Sequence, residues 1–138
     1  MAALSSLVEF QLKSATDLSL LLEKEKAAIA SRVAKEIEQL AKEKLTLINQ
    51  LQQTDQRISQ HPDVATLTND PELSPLVDQI RSIVHDCQQA NAVNGEALQR
   101  AQLSFNKLNN LMQQTQGKLG MTYTCLLYTS PSPRDRYG

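Results

Sequence analysis

Two histidines and two cysteines are the first residues of this 138-residue chain to invite a chemical reading. His61 precedes Pro62 in a proline-rich stretch and reads as a solvated loop residue. His85 lies beside Asp86 on a helical run and reads as a surface residue. Cys87 and Cys125 form no CxxC pair, and no histidine or aspartate cluster completes a zinc site beside them. Cys87 falls on an apolar stripe, where a thiol behaves as a small buried hydrophobe. A nucleophile needs a base and an orienting group, and Cys87 has no identifiable pair. The sequence holds no HExxH, GxSxG, P-loop or GxGxxG. The run Glu23-Lys24-Glu25-Lys26 reads as a solvated helix face. These residues supply no catalytic constellation, no metal ligands and no cofactor site, so the expected activity is binding, not catalysis.

One cluster breaks the local rules. Asn91, Asn94 and Gly95 interrupt an apolar seam in QQANAVNGEALQR. Glycine inside a helix costs about 1 kcal/mol relative to alanine. An asparagine on a seam fixes register at a cost in stability. Two readings stay open: a tolerated kink, or a junction between a packed and an unpacked half of the helix.

The elements that must carry these residues follow from composition and spacing. Hydrophobic residues make up 41% of the chain and aromatic residues 4%, with no tryptophan. Leu, Ile, Val and Ala therefore supply the apolar surface, which suits helix packing better than a sheet. The formal net charge is -1, and no basic block is present to bind nucleic acid. No apolar run reaches the roughly 18 residues that a membrane span needs. The N-terminus shows no leader pattern, and with two unpaired cysteines the reading is a protein of the reducing cytoplasm.

From Leu4 to Ile58 apolar residues step by three or four, through Val8, Leu12, Ala15, Leu18, Leu22, Ile29, Val33, Ile37, Leu40, Leu47 and Leu51. No glycine or proline breaks this run, which as one helix would be about 80 Å long. His61 to Pro75 is a linker holding three prolines, and Ser74-Pro75 predicts the start of the next helix. A second run keeps a 4-3 alternation from Leu76 through Ile80, Ile83, Cys87, Ala90, Asn94, Leu98, Ala101, Phe105, Leu108 and Met112 to Thr115. This is a heptad seam, with a predicted end near Gly117 and Gly120. Leu103 projects away from its main stripe and Leu111 lies at the margin. Residues 125–138, CLLYTSPSPRDRYG, lack periodicity and read as a translated cloning or sequencing adaptor, or as a disordered tail.

The segment NAVNGEALQRAQLSFNKLNNLMQQ resembles the NxxNG motif and following helix of FlgN-type flagellar chaperones. Asn91, Asn94 and Gly95 match the motif, and Leu98 follows at the expected apolar position. MTYT, with Tyr123, is similar to the start of the family's tyrosine-containing segment. EIEQLAKEKLTLINQL, with Lys44, resembles its second helix. The resemblance covers residues 1–124 and stops after Thr124, where the family's tail is not matched. It implies an antiparallel helical bundle with a turn near residues 30–34. It also implies a chaperone that binds hook-associated (hook–filament junction) proteins through its C-terminal part and delivers them to the flagellar type III export apparatus.

The resulting expectation is all-α, an antiparallel bundle of long helices with coiled-coil-like packing, broken near 30–34. The third helix spans 75–117, its C-terminal part extending beyond the bundle with an uncovered apolar face. Residues 1–124 form the helical domain and 125–138 a separate tail. Leu98, Leu103, Phe105, Leu108, Leu111 and Met112 are the expected client contacts. Tyr123 is the expected dock for the export machinery, carried over from the resemblance. The expected oligomeric state is a monomer or weak homo-oligomer. The rival expectation is a structural coiled-coil protein that self-associates through the same seam.

Overall fold

The computed structural model describes the backbone of residues 3–101 and 106–129, and side chains for 3–101 and 107–119. Within these residues the chain forms four helices: α1 (Leu4–Ser31), α2 (Ala34–Ser59), α3 (Leu73–Arg100) and α4 (Asn106–Thr129). A single 3-10 turn, Val64–Thr66, lies in the connection between α2 and α3. There is no strand among the described residues, and the all-α bundle expected from the periodicity is the fold.

The break in the first run falls at Arg32 and Val33. Arg32 adopts a left-handed conformation (φ 59°, ψ 34°) and its N–H donates to the carbonyl of Ile29 at 3.1 Å. That geometry reverses the chain although no glycine marks it, which is why the residues alone gave no turn signal.

The start of α3 differs from expectation. The helix begins at Leu73, two residues before Pro75. Asp70 supplies the cap: its Oδ1 accepts from the N–H groups of Glu72 (2.8 Å) and Leu73 (3.2 Å). Pro75 then sits within the first turn of α3, where proline is tolerated. His61, read as solvated, is buried at 8% exposure. Its Nδ1 accepts from the backbone N–H of Asp63 at 3.0 Å, so the ring stabilises the turn that ends α2.

The second periodic run is not one helix. α3 ends at Arg100 and a separate α4 returns along the bundle, packing on α2 and α3. Among the described residues the expected single helix over 75–117, extending beyond the bundle, is therefore absent. Burial overrides the continuous heptad: the return encloses Leu108, Met112 and Leu119, at 3%, 6% and 1% exposure, which a straight helix would leave in water. Helix α4 also passes through Gly117 and Gly120 without stopping, and no described glycine has positive φ. It reaches Thr129, across the expected boundary at 124/125.

Paired residues give the helix directions. Gln11 meets Leu51 and Glu25 meets Lys44, so α1 and α2 are antiparallel. Asn91 meets Thr115 and Gln88 meets Leu119, so α3 and α4 are antiparallel. Across the hairpins, Ala15 meets Cys87 and Leu22 meets Asn94, and Lys44 meets Met112 and Gln52 meets Lys118. The neighbours α1/α3 and α2/α4 thus run parallel. Two antiparallel hairpins lie side by side, with α2 and α3 on a diagonal, and the 60–72 connection crosses one end of the bundle. Leu67, 2% exposed, fastens this connection to the core.

Each helix buries a strict heptad stripe: 4, 8, 11, 15, 18, 22, 25, 29 in α1, and 37, 41, 44, 48, 51, 55, 58 in α2. In α3 the stripe is 73, 77, 80, 84, 87, 91, 94, 98. The periodicity predicted Leu12, Leu76, Ile83 and Ala90 at places taken by Gln11, Val77, Val84 and Asn91. The predicted residues are half-buried flanks. Choosing the most apolar residue at each step misses a stripe that admits polar ones.

Ile80, 1% exposed, lies on this stripe. Ile80→Asp buries an unpaired charge and is expected to cost more than about 3 kcal/mol or prevent folding. Urea unfolding checks it, and a variant as stable as the parent contradicts the stripe.

Candidate functional site

The expected site residues separate into three groups. Leu98 (1% exposed), Leu108 and Met112 pack with Ala28, Ile29 and Ile37 in an apolar cluster of the bundle itself. Leu111 is half-buried on α4. Leu103, Phe105 and the side chain of Tyr123 lie outside the described residues. The structure therefore places Leu98, Leu108 and Met112 in the core and not on an open surface. It gathers Asn91, Asn94 and Gly95 instead, around two charged residues that were not expected.

Glu25 of α1 and Lys44 of α2 are both fully buried, with side chains at 0% exposure. The Glu23–Lys26 run is not uniformly solvated: Glu25 occupies the stripe position between Leu22 and Ile29. The Lys44 ammonium donates to Glu25 Oε1 at 2.9 Å and stands 2.7 Å from Oε2. It also donates to Asn91 Oδ1 at 2.6 Å and meets Met112 Sδ at 3.4 Å. An ammonium has three donors, and each is directed to a different helix: α1, α3 and α4.

Asn94 completes the carboxylate side. Its Nδ2 donates to Glu25 Oε1 (2.9 Å) and to the Leu22 carbonyl (3.1 Å), using both amide hydrogens. Asn91 Nδ2 donates to Thr115 Oγ1 at 3.3 Å, and that hydroxyl donates to the Met112 carbonyl at 2.8 Å. The two asparagines thus hold opposite ends of the buried ion pair. Gly95 serves a different need. A Cβ there would stand 2.9 Å from Gln116 Nε2 and 3.4 Å from Met112 Cγ. The space beside its backbone is filled by Gln116 and Met112 of α4. The interrupted seam is neither a kink nor the edge of an unpacked half; it is a polar layer made by all four helices.

Burial pulls the Lys44 ammonium below the ordinary lysine range, while the charge and hydrogen bond of Glu25 act in the opposite direction. Near the start of α4, exposed Lys107 pairs with Glu38 of α2. That contact holds the Glu38 carboxyl below its usual range and raises Lys107. Gln52 Nε2 donates to the Lys118 carbonyl at 3.0 Å, a further tie from α2 to α4.

None of these groups is placed for chemistry. Lys44 has no open face, and Cys87 is 1% exposed with its thiol pushed up to about 12 by burial, with the Asp86 charge acting in the same direction. Among the described residues no group of three or more His, Cys, Asp or Glu is placed to hold a metal ion. No helix among them is long and apolar enough to cross a membrane.

The fold is a four-helix bundle organised around a buried Glu–Lys–Asn layer. A family model described as FlgN protein matches residues 1–125, and the chain belongs to that family. No curated protein and no solved structure gives a significant match to it.

Two predictions follow from the layer and from the thiol. Lys44→Met leaves Glu25 buried without its counter-charge and is expected to cost roughly 3–5 kcal/mol. Adding Glu25→Leu is expected to recover part of that loss, so the double variant is more stable than Lys44→Met alone; simple additivity in chemical unfolding contradicts the pairing. For Cys87, the folded thiol keeps its proton to about 12, against 9.0 for an ordinary thiol. The unfolded chain loses that proton first, so the stability it contributes is whole below about pH 9 and is lost as pH rises beyond. The stability advantage of the parent over Cys87→Ala is expected to narrow between about pH 9 and about pH 12; a constant difference contradicts the buried thiol.

Proposed function

We propose that this chain is a cytoplasmic export chaperone that binds hook-associated proteins and delivers them to the flagellar type III secretion apparatus, without catalysis. Membership of the FlgN family over residues 1–125 carries this reading. A chaperone of this kind holds an aggregation-prone helical segment by mass action, favouring one bound state, and needs no cofactor.

The proposed client surface lies within residues 96–119: Leu98, Leu103, Phe105, Leu108, Leu111 and Met112, with Tyr123 as the contact for the export machinery. Leu98, Leu108 and Met112 face the chain's own core, so they reach a client only in a form in which α4 has left its seat. Residues 1–124 form the working domain in this proposal, and 125–138 take no part.

Leu103 gives the sharpest test, because it falls between α3 and α4, outside the stripes that pack the bundle. Leu103→Glu is expected to weaken binding of a helical terminal fragment of a hook-associated protein by about tenfold, about 1.4 kcal/mol, as for a central anchor. The melting temperature is expected to stay near the parent's. Calorimetric titration of both proteins checks it. Equal affinities remove Leu103 from the site, and absence of binding by the parent overturns the client.

A further inference from the structure

The buried stripe of α3 and that of α4 share one register. Asn94 and Leu98 of α3 are followed by Leu108, Met112, Thr115 and Leu119 of α4. Positions 101 and 105 continue the 4-3 alternation between them, and they are Ala101 and Phe105. A single helix running from α3 into α4 would therefore carry the whole stripe on one face. The chain forms two helices because α4 has a seat on α2 and α3, not because the pattern ends.

That seat is defined in detail. Gly95 leaves room for Met112 and Gln116. Asn91 and Lys44 offer a hydrogen bond to Thr115 and a contact to Met112. Glu38 takes Lys107 at the rim. The layer beneath is largely complete without α4, since Glu25, Lys44, Asn91 and Asn94 bond one another. Withdrawing α4 therefore opens the seat without breaking the buried ion pair.

From this we infer that the chain forms a reciprocal dimer with a second copy by exchanging α4: α3 and α4 join into one straight helix, and each copy's α4 occupies the other's seat. The second copy is the occupant that the structure specifies, because α4 itself shows which side chains fit. In the exchanged pair each α4 still runs antiparallel to the α3 it covers, now the other copy's, as it does within one chain. Every contact of the closed form is regained, so the exchange changes little but the connection, which is the condition under which swapping is cheap. A short tether gives α4 an effective concentration on the order of millimolar at its own seat. Exchange is therefore expected only when chains refold at comparable concentration. This inference does not depend on the chaperone reading.

The test uses the Glu38–Lys107 contact in full-length protein carrying Cys125→Ser, with Cys87 protected by burial. A Glu38→Cys, Lys107→Cys chain treated with a short bis-maleimide is expected to crosslink within itself when dilute, which verifies the seat. Chains carrying Glu38→Cys alone and Lys107→Cys alone are then mixed, unfolded and refolded together at rising concentration. The expected result is a covalent heterodimer whose yield grows severalfold towards millimolar chain concentration, and which is lost when both chains also carry Ser104→Pro, since proline blocks a continuous helix. Failure of the double variant to crosslink contradicts the seat. Crosslinking of the double variant with no heterodimer from the mixture overturns the exchange. A heterodimer that persists undiminished with Ser104→Pro overturns the straightened helix.

Discussion

The constraint on which the rest of the structure depends is the dehydrated ammonium of Lys44. A buried lysine is tolerable only if its three donors are all met. Here Glu25, Asn91 and Met112 meet them from three other helices. The layer separates a larger apolar cluster, centred on Leu18, Ile48, Ile80 and their neighbours, from a smaller one formed by Ala28, Ile29, Ile37, Leu98, Leu108 and Met112. Replacing such a layer by apolar residues often leaves stability unchanged or raises it, because dehydration offsets the attraction of the charges. Its effect is on arrangement. A heptad slip of any helix would set a charge or an amide against one of the apolar clusters. The same layer rules out many pairings that an all-leucine seam would accept. Register and the parallel pairing of the two hairpins are thus tied to a few side chains.

Much of the architecture was readable from the residues. The helical class, the Pro-rich connection, the buried Cys87 and the special status of Asn91, Asn94 and Gly95 all follow from periodicity and from residues that break it. What escaped has a common physical cause. A hydrophobic stripe was traced by its most apolar members, so Leu12, Leu76, Ile83 and Ala90 displaced Gln11, Val77, Val84 and Asn91. Glu25 was hidden inside an alternating charged run. A signal was present nonetheless: the α2 stripe continues through Ile37, Ala41, Lys44, Ile48 and Leu51 only if Lys44 is admitted, and Glu25 fills the gap between Leu22 and Ile29. Two polar residues of opposite sign at stripe positions on neighbouring antiparallel helices predict each other. Arg32 and the α3–α4 reversal left no such trace. A left-handed arginine carries no glycine signal, and a heptad that runs through a turn has no period to lose.

The family motif gains a physical meaning from this arrangement. Its two asparagines orient an ion pair contributed by the first hairpin, and its glycine provides the flat surface for α4. Asn91 and Gly95 act on the seat of α4, and Asn94 acts on the Glu25 carboxylate beneath it. A protein whose last helix is held partly by a thioether, a hydroxyl and a surface ion pair has a boundary at which one helix can be replaced by another of the same pattern. Both the chaperone reading and the exchange of α4 use that boundary, with different occupants.

The most direct test of the buried layer is nuclear magnetic resonance of its exchangeable side-chain protons. Lys44 Nζ protons and the Nδ2 protons of Asn91 and Asn94 share bonds inside a layer closed to water. The account predicts an observable, slowly exchanging ammonium signal for Lys44 at neutral pH, with asparagine amide protection close to that of the neighbouring α3 backbone. Exchange of the Lys44 ammonium as fast as that of the exposed lysines on the same protein would contradict it.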